Sequence, residues 1–463
     1  MTVTFSSAIE QLSLLRARRI SPLELAEEHI RQIQRLNPSL NAIVDFDADR
    51  VRAQAAQPLT GPLAGLPLTI KSSIATKGYR CEIGSTLHRG FVPEAESVAV
   101  ARLRAAGATL LGTTNCPEFL MAYETDNLLY GRTNNPWSLD HSAGGSSGGE
   151  AAAIAAGLSA CGIGSDSGGS VRQPAHFCGI ASLKPTPGRV PGRGHLPSNL
   201  GPFAVLGAIG PMGRTIADVA LLFEVLSGHD PADPISVPVE YKPVSIEDAK
   251  RVPIGWMEDG EHTPVTPETR QSIQDAVTAL EKQGFTLHSF RSTALEEARE
   301  LWWTFFMQCG AMFYAPTIHG REKELSPIFR EFLELGKARP SLTADNLLQS
   351  WAQMNQVREK LLREMQQYPI LLTPVCSVPA FRHGERRWMI DGQTVHYLEA
   401  MCYTQWFNLL GAPAAVVPVG RSREGLPIGV QVAGRPYHDE EVLTIAACLE
   451  RDFGYSIPPI ATR

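Results

Sequence analysis

Short apolar runs alternate with helical segments along most of this chain, and that alternation limits what the chain can fold into more than any other feature. From residue 61 the apolar runs include LPLTIKS, ATLLGTT and SACGIGS, with helix-like stretches such as ESVAVARLRAAG between them. The same character returns late in the sequence, in YPILLTPV, AAVVPVG and PIGVQVAG. Strands that alternate with helices indicate an α/β sheet. Because the late strands resemble the early ones, we predict one sheet rather than two independent domains.

Residues 1–60 are predicted to form an N-terminal helical segment. In SPLELAEEHIRQI, Ser21 can cap a helix, Pro22 suits its first turn and Glu24 completes a capping box. Pro38 is expected to end that helix, because proline interrupts helical hydrogen bonding. The strand-rich part of the chain is therefore expected to begin after this segment.

A second helical region, at about residues 294–366, interrupts the alternation. It lies between the strand candidates FTLHSF and YPILLTPV. The connector at 229–246 is rich in Pro and Asp, and we interpret it as a surface excursion rather than a domain boundary. We therefore predict a single domain over residues 1–463 that contains a helical insertion.

The composition argues against several classes of partner and cofactor. With 463 residues, a formal net charge of −6 and no long basic run, the chain offers no matching charge to nucleic acid or an anionic membrane. No stretch approaches the roughly 20 apolar residues of a membrane-spanning helix, and no secretory leader is found. The eight cysteines form neither a CxxC pair nor a His/Cys cluster, which argues against structural zinc and a disulfide scaffold. We predict a cytoplasmic protein with reduced thiols and a small partner.

The stretch SAGGSSGGEAAAIAAG, residues 142–157, allows three interpretations. A phosphate-binding loop needs Lys-Ser/Thr at the helix start, but Glu150 stands there and would repel a phosphate. A nucleophile elbow is formally matched by residues 144–148, yet the preceding NNPWSLDHSA is predicted to be a loop rather than an apolar strand. No late histidine has an obvious carboxylate partner. The third interpretation is a tight turn whose serine assists another residue.

A second glycine–serine cluster follows in GIGSDSGGSVRQPAHFCG. Its apolar run ends at Gly164, Asp166 enters a turn, and the two glycines Gly168 and Gly169 directly precede Ser170. Consecutive glycines allow several backbone N–H groups to point at one place, as an oxyanion requires. This turn therefore offers a nucleophile together with an oxyanion hole.

A serine nucleophile needs a base, and Lys71 is the candidate because it ends the apolar run GLPLTIK. Desolvation there would lower the pKa of the amine and favour the neutral form that accepts a proton. Ser-Lys pairs are a known variant of the Ser-His-Asp arrangement. The alternative interpretation is a surface lysine whose stem packs on apolar neighbours.

Three segments together resemble the amidase signature family. They are GLPLTIK with Lys71, GGSSGGE with Ser146, and GSDSGGSVRQPAHFCGIASLKPT with Ser170. Ser146 and Ser170 stand 24 positions apart, which is the spacing of the family signature. The resemblance runs from about residue 20 to the C-terminus and includes GATLLGTTNCPEF, FNLLGAPAAVVPVG and LPIGVQVAGRP. It implies a large mixed central β-sheet flanked by helices on both faces.

The resemblance also implies amide hydrolysis by a Ser-Ser-Lys triad, without a metal or an organic cofactor. Ser170 is the implied nucleophile. Ser146, which follows a cis peptide in the family, is implied to pass a proton between Ser170 and the base Lys71. The chain departs from the family at Ser72, because many members have Asp or Asn directly after the lysine.

Binding residues are implied by the same resemblance. The backbone N–H groups of four consecutive residues correspond to the family's oxyanion hole: Ser167, Gly168, Gly169 and Ser170. Leu120 falls at a substrate-lining position.

The neighbours of the nucleophile turn are given structural interpretations. Asp166 and Arg172 flank the turn and are expected to brace it through hydrogen bonds, with charge stabilisation of the substrate as the alternative. His176 and Cys178 are expected to pack under the turn. Ser147 is interpreted as a supporting turn residue.

The substrate is the least constrained feature. The segment LWWTFFMQCGAMFYAP, residues 301–316, has three interpretations: core of the helical insertion, an apolar pocket above Ser170, or a membrane-facing lid. We expect the helical insertion to lie near the substrate pocket. A hydrophobic acyl or aryl amide is therefore the expected substrate, with no stable membrane insertion.

Two kinds of family member are candidates for the kind that this chain resembles more. The stretch TNCPEFLMAYETDNLLYGRTNNPWS resembles stand-alone and fatty-acid-amide-hydrolase-like members more than the A subunit of glutamyl-tRNA amidotransferase. We therefore expect a stand-alone amidase, with a homodimer as the candidate assembly. The competing hypothesis is an amidotransferase subunit that releases ammonia from glutamine for a partner enzyme.

Overall fold

Strands from both halves of the chain join in one central sheet in the computed structural model, which describes residues 2–198, 201–260 and 262–462. The strands of the described residues are β1 Ile43–Phe46, β2 Pro67–Lys71, β3 Thr109–Thr114, β4 Asn134–Asn135, β5 Ser138–Ser142, β6 Cys161–Asp166, β7 Ala181–Lys184, β8 Ala208–Gly213, β9 Ile254–Trp256, β10 Leu287–Ser289, β11 Ile370–Pro374, β12 Arg387–Ile390, β13 Gln393–His396, β14 Ala414–Arg421 and β15 Pro427–Gly434.

Helices connect and cover these strands. The α-helices of the same described residues are α1 Ala8–Arg16, α2 Pro22–Leu40, α3 Ala48–Ala55, α4 Val98–Ala105, α5 Gly148–Ala155, α6 Arg172–Cys178, α7 Pro202–Leu206, α8 Ile216–Leu226, α9 Ile246–Lys250, α10 Pro267–Lys282, α11 Thr293–Trp302, α12 Cys309–Ile318, α13 Pro327–Lys337, α14 Ala344–Glu364, α15 Tyr397–Ala400, α16 Cys402–Leu409 and α17 Asp439–Glu450.

The central sheet is mixed and, within the described residues, has eleven strands in the order β1-β3-β2-β6-β8-β7-β14-β15-β11-β9-β10. Strands β3, β2 and β6 run parallel to one another, whereas β8, β7, β14 and β15 are joined by antiparallel pairings. The late strands β14 and β15 lie in the middle of the order, next to strands from the first half of the chain. The predicted α/β class with one large mixed sheet is confirmed.

Both faces of the sheet are covered, as β14 illustrates. Successive residues of a strand point to opposite faces. Ala415 and Val417 pack in a buried cluster with residues of α8, α10 and α17, whereas Val416 packs with residues of α5 and α6. Helices therefore flank the sheet on both sides, and strands β2, β3, β6, β7 and β8 between them are buried along their whole length.

The helical insertion lies between β10 and β11. It comprises α11 to α14, and a π-helix at Trp303–Gln308 joins α11 to α12. Its apolar residues form a cluster that includes Phe305, Phe329 and Val357, together with residues of α16. The observed insertion thus spans nearly the predicted region of 294–366.

The N-terminal segment differs from its prediction in two respects. Helix α2 continues through Pro38 to Leu40 and is capped by Asn41, whose φ of 51° is left-handed. Asn37 stabilises this end, because its side-chain oxygen accepts the N–H groups of Ala42 and Ile43 at 2.9 Å. The segment 1–60 also contains a strand, since β1 pairs with β3 at the edge of the sheet.

The start of α2 is as predicted from the sequence. Ser21 and Glu24 form the predicted capping box, in which each side chain accepts the other residue's backbone N–H. The stretch NNPWSLDHSA, predicted to be a loop, forms the short antiparallel pair of β4 and β5 instead. Its polar residues suit a two-stranded ribbon outside the central sheet.

Arg214, which directly follows β8, ties the N-terminus to the sheet. Its guanidinium is fully buried and donates to the carbonyls of Ser6, Ile154 and Ser159 at 2.7 to 3.1 Å. The carbonyl of Ser159 has no other donor among the described residues, whereas those of Ser6 and Ile154 also accept from the Gln11 side chain and the Gly157 N–H.

Replacing Arg214 with Met should lower the free energy of unfolding by roughly 1–3 kcal/mol, because it leaves the buried carbonyl of Ser159 without a donor. Urea denaturation followed by tryptophan fluorescence measures the change. Arg251→Met is the matched control, since the Arg251 side chain is 79% exposed and pairs with the neighbouring Asp248. Its effect should stay within about 0.5 kcal/mol. Equal stability of the two variants would contradict the role given to Arg214.

Candidate active site

Sheet topology brings the candidate base and nucleophile together. Lys71 ends β2 and Asp166 ends β6, and these strands are parallel neighbours. The carboxyl ends of parallel neighbours meet at one edge of a sheet, so Lys71 and the turn that carries Ser170 emerge side by side. Ser146 comes from the loop between β5 and α5. The N–H of Ser147 donates to the carbonyl of Ser170 at 3.1 Å, which joins the two glycine–serine loops.

Glycines in the first loop allow a close approach of backbones. Gly144 has a φ of +83°, and a Cβ there would lie 2.7 Å from Cα of Pro174. A Cβ on Gly145 would lie 2.6 Å from the backbone nitrogen of Glu124. The Gly145–Ser146 peptide is cis, as the family resemblance implied. The loop therefore presents Ser146 from a tightly packed backbone.

Lys71 is buried and in contact with Ser146. Its Nζ lies 2.7 Å from Oγ of Ser146 and 3.2 Å from Oγ of Ser165. The side chain is fully shielded from solvent, and burial lowers the pKa of the amine from its usual 10.5 to about 8. A substantial fraction of Lys71 is therefore neutral near physiological pH. The alternative of a surface lysine is wrong.

Glu150 is a second buried ionisable group near Lys71. Its carboxyl accepts hydrogen bonds from the hydroxyls of Thr69 on β2 and Thr114 on β3. Burial raises its pKa to about 8. The side chain thus faces the core between β2 and β3 rather than the glycine loop, so it does not stand where it would repel a phosphate. The position of Glu150 at the start of α5 did not predict which way its side chain points.

Asp166 and Arg172 form a buried ion pair behind Ser170. Nε and Nη2 of Arg172 donate to the two carboxylate oxygens of Asp166 at 3.0 and 2.9 Å. The same carboxylate accepts the N–H groups of Gly169 and Val171 at 2.7 and 3.1 Å. Burial alone would raise the pKa of Asp166, but Arg172 outweighs burial and holds it below its usual value. The pair is placed to brace the turn.

The late part of the chain completes this network. Nη1 of Arg172 donates to Oε1 of Gln431 on β15, and Nη2 donates to Oδ1 of Asn408 on α16, both at 2.6 Å. Nδ2 of Asn408 also donates to Asp166 at 2.9 Å. Sequence reasoning missed both residues. The available signal was a single polar residue inside each of two apolar runs, FNLLGAP and PIGVQVAG.

Gly169 is the exception among the expected oxyanion-hole donors. Its N–H donates to Oδ1 of Asp166, so it is not directed at a substrate. Within the described part of the chain, the N–H groups of Ser167, Gly168 and Ser170 have no acceptor. The expectation for the N–H of Gly169 is therefore wrong in this structure, because the carboxylate that braces the turn takes its hydrogen bond.

Ser146 and Ser170 line one cavity of about 30 Å³. The polar residues of its wall are Ser146, Ser165, Ser167, Ser170, His195 and Ser198. The apolar and aromatic residues of its wall are Leu120, Met121, Pro197, Phe203, Phe306 and Tyr314. Leu120 thus lies where the resemblance implied. Neither His195 nor the aromatic residues of this wall were identified individually from the sequence.

The site combines a buried lysine, a serine after a cis peptide and a second serine beside free N–H groups. The family comparison agrees with this arrangement. The family model described as Amidase matches residues 24–443. The chain belongs to the amidase signature family. It is an amide-hydrolysing enzyme.

Relatives of this amidase include both kinds of family member. It is 34% identical to the A subunit of a glutamyl-tRNA(Gln) amidotransferase from Synechococcus sp. (strain CC9605), with 93% of each chain covered. It is 33% identical to an acylamidase of Rhodococcus erythropolis, which covers 96% of this chain and 94% of the relative. A solved bacterial aryl acylamidase of the same family superposes with a TM-score of 0.86, at 26% identity, over 97% of this chain and 96% of the other. Identity alone does not separate the two kinds.

The aromatic segment 301–316 of this amidase is both core and cavity wall. Trp302 is buried, and its Nε1 donates to the carbonyl of Ser167 at 2.8 Å. Phe306 and Tyr314 line the cavity beside Ser170. The core and pocket interpretations therefore both hold for different residues of the same segment.

The remaining neighbours of the amidase site contact protein groups. The hydroxyl of Ser72 lies 3.3 Å from Sγ of Cys116. Nε2 of His176 lies 3.1 Å from the carbonyl of Val378, and Cys178 donates from Sγ to a backbone carbonyl at 3.4 Å. All three side chains are buried. These contacts leave no reactive role for His176 or Cys178.

Two other kinds of site are absent from the described residues. No group of three or more His, Cys, Asp or Glu side chains there is placed to hold a metal ion. No helix among those residues has the length and apolar character needed to cross a membrane. All eight cysteines are free, and all except the half-buried Cys309 are buried.

Proposed function

We propose that this amidase cleaves a hydrophobic acyl or aryl amide through a covalent intermediate on Ser170. The observation that carries the proposal is the contact of 2.7 Å between Nζ of the buried Lys71 and Oγ of Ser146. Ser146 shares a cavity with Ser170, so its hydroxyl can relay a proton from Ser170 to Lys71. Lys71 in its neutral form is the base.

The reaction begins when Oγ of Ser170 attacks the carbonyl carbon of the amide. Its proton passes to Ser146, while the proton of Ser146 passes to Nζ of Lys71. The substrate oxygen becomes an oxyanion, which accepts hydrogen bonds from the free N–H groups of the turn at Ser167, Gly168 and Ser170. Removal of a single such donor typically costs about 100-fold to 1,000-fold in rate.

The intermediate then collapses as the C–N bond breaks. Ser146 gives its proton to the departing nitrogen and regains one from Lys71, so the amine or ammonia leaves neutral. Water next attacks the ester on Ser170 with the same relay as its base. The C–O bond to Ser170 breaks, the carboxylic acid is released and Lys71 is again neutral.

The cavity lining supports an uncharged, apolar substrate. None of its described residues is Asp, Glu, Lys or Arg, and six of them are apolar or aromatic. Phe306 and Tyr314 in this wall offer rings against which an acyl chain or an aromatic ring can pack.

An amidotransferase component is the second candidate, and the 34% identity to relatives of that kind favours it. Its substrate would be glutamine, which carries an ammonium and a carboxylate. Burying either charge without a partner is costly. The uncharged lining therefore supports a stand-alone amidase over an amidotransferase component.

The cysteines bear on the compartment. The eight cysteines are free, which supports a reducing compartment such as the cytoplasm. The homodimer stays a prediction.

Ser170→Ala should reduce amide turnover about a thousandfold or more, because it removes the attacking oxygen. In the parent enzyme a fluorophosphonate probe should label Ser170, with fluoride leaving as the P–O bond forms. Mass spectrometry of the digested protein identifies the labelled peptide. The control is Ser245→Ala, at the exposed cap of α9, which should keep full activity and labelling. Unchanged turnover in Ser170→Ala would rule out this nucleophile.

p-Nitroanilides of increasing acyl length should be hydrolysed with rising kcat/KM, since each buried methylene contributes about 0.8 kcal/mol. Phe306→Ala should weaken that dependence, because Phe306 lines the cavity. Met312→Ala, at a side chain that is 57% exposed in the same segment, should leave it unchanged.

Glutamine and short polar amides serve as the comparison substrates. Activity confined to them would contradict the hydrophobic preference. Release of ammonia from glutamine would support the amidotransferase alternative.

A further inference from the structure

His195 lies between the cavity beside Ser170 and a larger one. The larger cavity has a volume of about 210 Å³, and both His195 and Ser198 line the two cavities. Gly192, Arg193 and Asp233 form part of its wall. A group that leaves the reaction centre on this side passes the imidazole.

The hydrogen-bond pattern determines which imidazole nitrogen carries the hydrogen. Nδ1 of His195 lies 2.9 Å from the carbonyl of Pro197, and a carbonyl can only accept, so Nδ1 is the donor. In the neutral ring Nε2 then has a free lone pair. Burial lowers the pKa of His195 to about 4, so the neutral ring prevails at neutral pH.

Nε2 of His195 is a buried acceptor that no donor of the described protein reaches. The residue is only 6% exposed, and Nε2 has no hydrogen-bond partner among the residues that the structure describes. A buried polar atom without a partner is unusual and costs free energy. Because His195 lines the active-site cavity, its unpartnered acceptor points to a donor on the substrate.

The segment that carries His195 is attached to the strand end that carries Lys71. The N–H of Leu196 donates to the carbonyl of Ser73 at 2.7 Å, and His195 forms a β-bridge with Ile74. Both contacts lie within three residues of Lys71. The acceptor therefore has a fixed position relative to the base.

The chemistry of amide cleavage requires an acceptor beside the leaving nitrogen. During attack by Ser170 the nitrogen changes from planar to pyramidal, and its new lone pair must face Ser146 to receive a proton. Its existing N–H then points away from Ser146 and needs another acceptor. An ester leaving group has no such hydrogen.

We propose that Nε2 of His195 accepts a hydrogen bond from the N–H of the leaving amine and so makes the enzyme selective for primary and secondary amides. This inference rests on the proposed function, because it needs Ser170 as the nucleophile and Ser146 as the proton relay. The leaving amine then lies on the His195 side, next to the larger cavity.

Two substitutions separate the acceptor from the structural role of the ring. His195→Asn keeps a donor near the position of Nδ1 for Pro197 but has no atom at the place of Nε2. His195→Gln places an amide oxygen near Nε2 and gives up the donor to Pro197. The assay compares a p-nitroanilide with the p-nitrophenyl ester of the same acyl group.

His195→Asn should lower kcat/KM for the anilide about tenfold or more, the size expected for one lost hydrogen bond in the transition state. Its kcat/KM for the ester should change by less than about twofold, since the ester has no N–H. His195→Gln should recover most of the anilide activity. Equal losses on both substrates, or no loss on the anilide, would overturn the proposal.

Two further measurements keep the proposal testable. In the parent enzyme the N-methylated anilide should react at least about tenfold more slowly than the anilide, and a ratio near one would also overturn it. Ser170→Ala is run on both substrates in the same assay. If it retains activity, the proposed function fails together with the role of His195, whereas loss of activity there leaves only the His195 results to decide.

Discussion

The contact between Lys71 and Ser146 is the interaction on which the site depends. A lysine is a useful base only when its amine is neutral, and here burial at the end of β2 lowers its pKa to about 8. Burial in turn requires the closely packed glycine loop that carries Ser146 and the parallel pairing of β2 with β6. The fold therefore supplies both the low pKa and the partner that uses it.

A second buried pair maintains the geometry of the nucleophile turn. Arg172 joins Asp166 in the turn to Asn408 and Gln431, which come from the last quarter of the chain. An unpaired charge at this depth would cost several kcal/mol, so each member depends on the others. This network explains why the sheet needs strands from both halves of the sequence around one short turn.

Local patterns in the sequence predicted much of this structure, and long-range contacts account for the rest. Strand alternation predicted the sheet, and the apolar run before Lys71 predicted its desolvation. The direction of Glu150 and the free nitrogen of His195 depend on residues far away in sequence, so no local pattern reveals them. Proline at position 38 was expected to end a helix, but the side chain of Asn37 and the left-handed Asn41 determine where it ends.

The pH dependence of kcat/KM for a neutral anilide tests the role of Lys71 most directly. Because the neutral amine is the active form, kcat/KM should rise about tenfold per pH unit below pH 8 and level off above it. Glu150 has a raised pKa in the same range, so Glu150→Gln is measured alongside. Its rising limb should persist, because Lys71 and not Glu150 is the base. A rate independent of pH between 6 and 10, or a limb that vanishes in Glu150→Gln, would contradict the account.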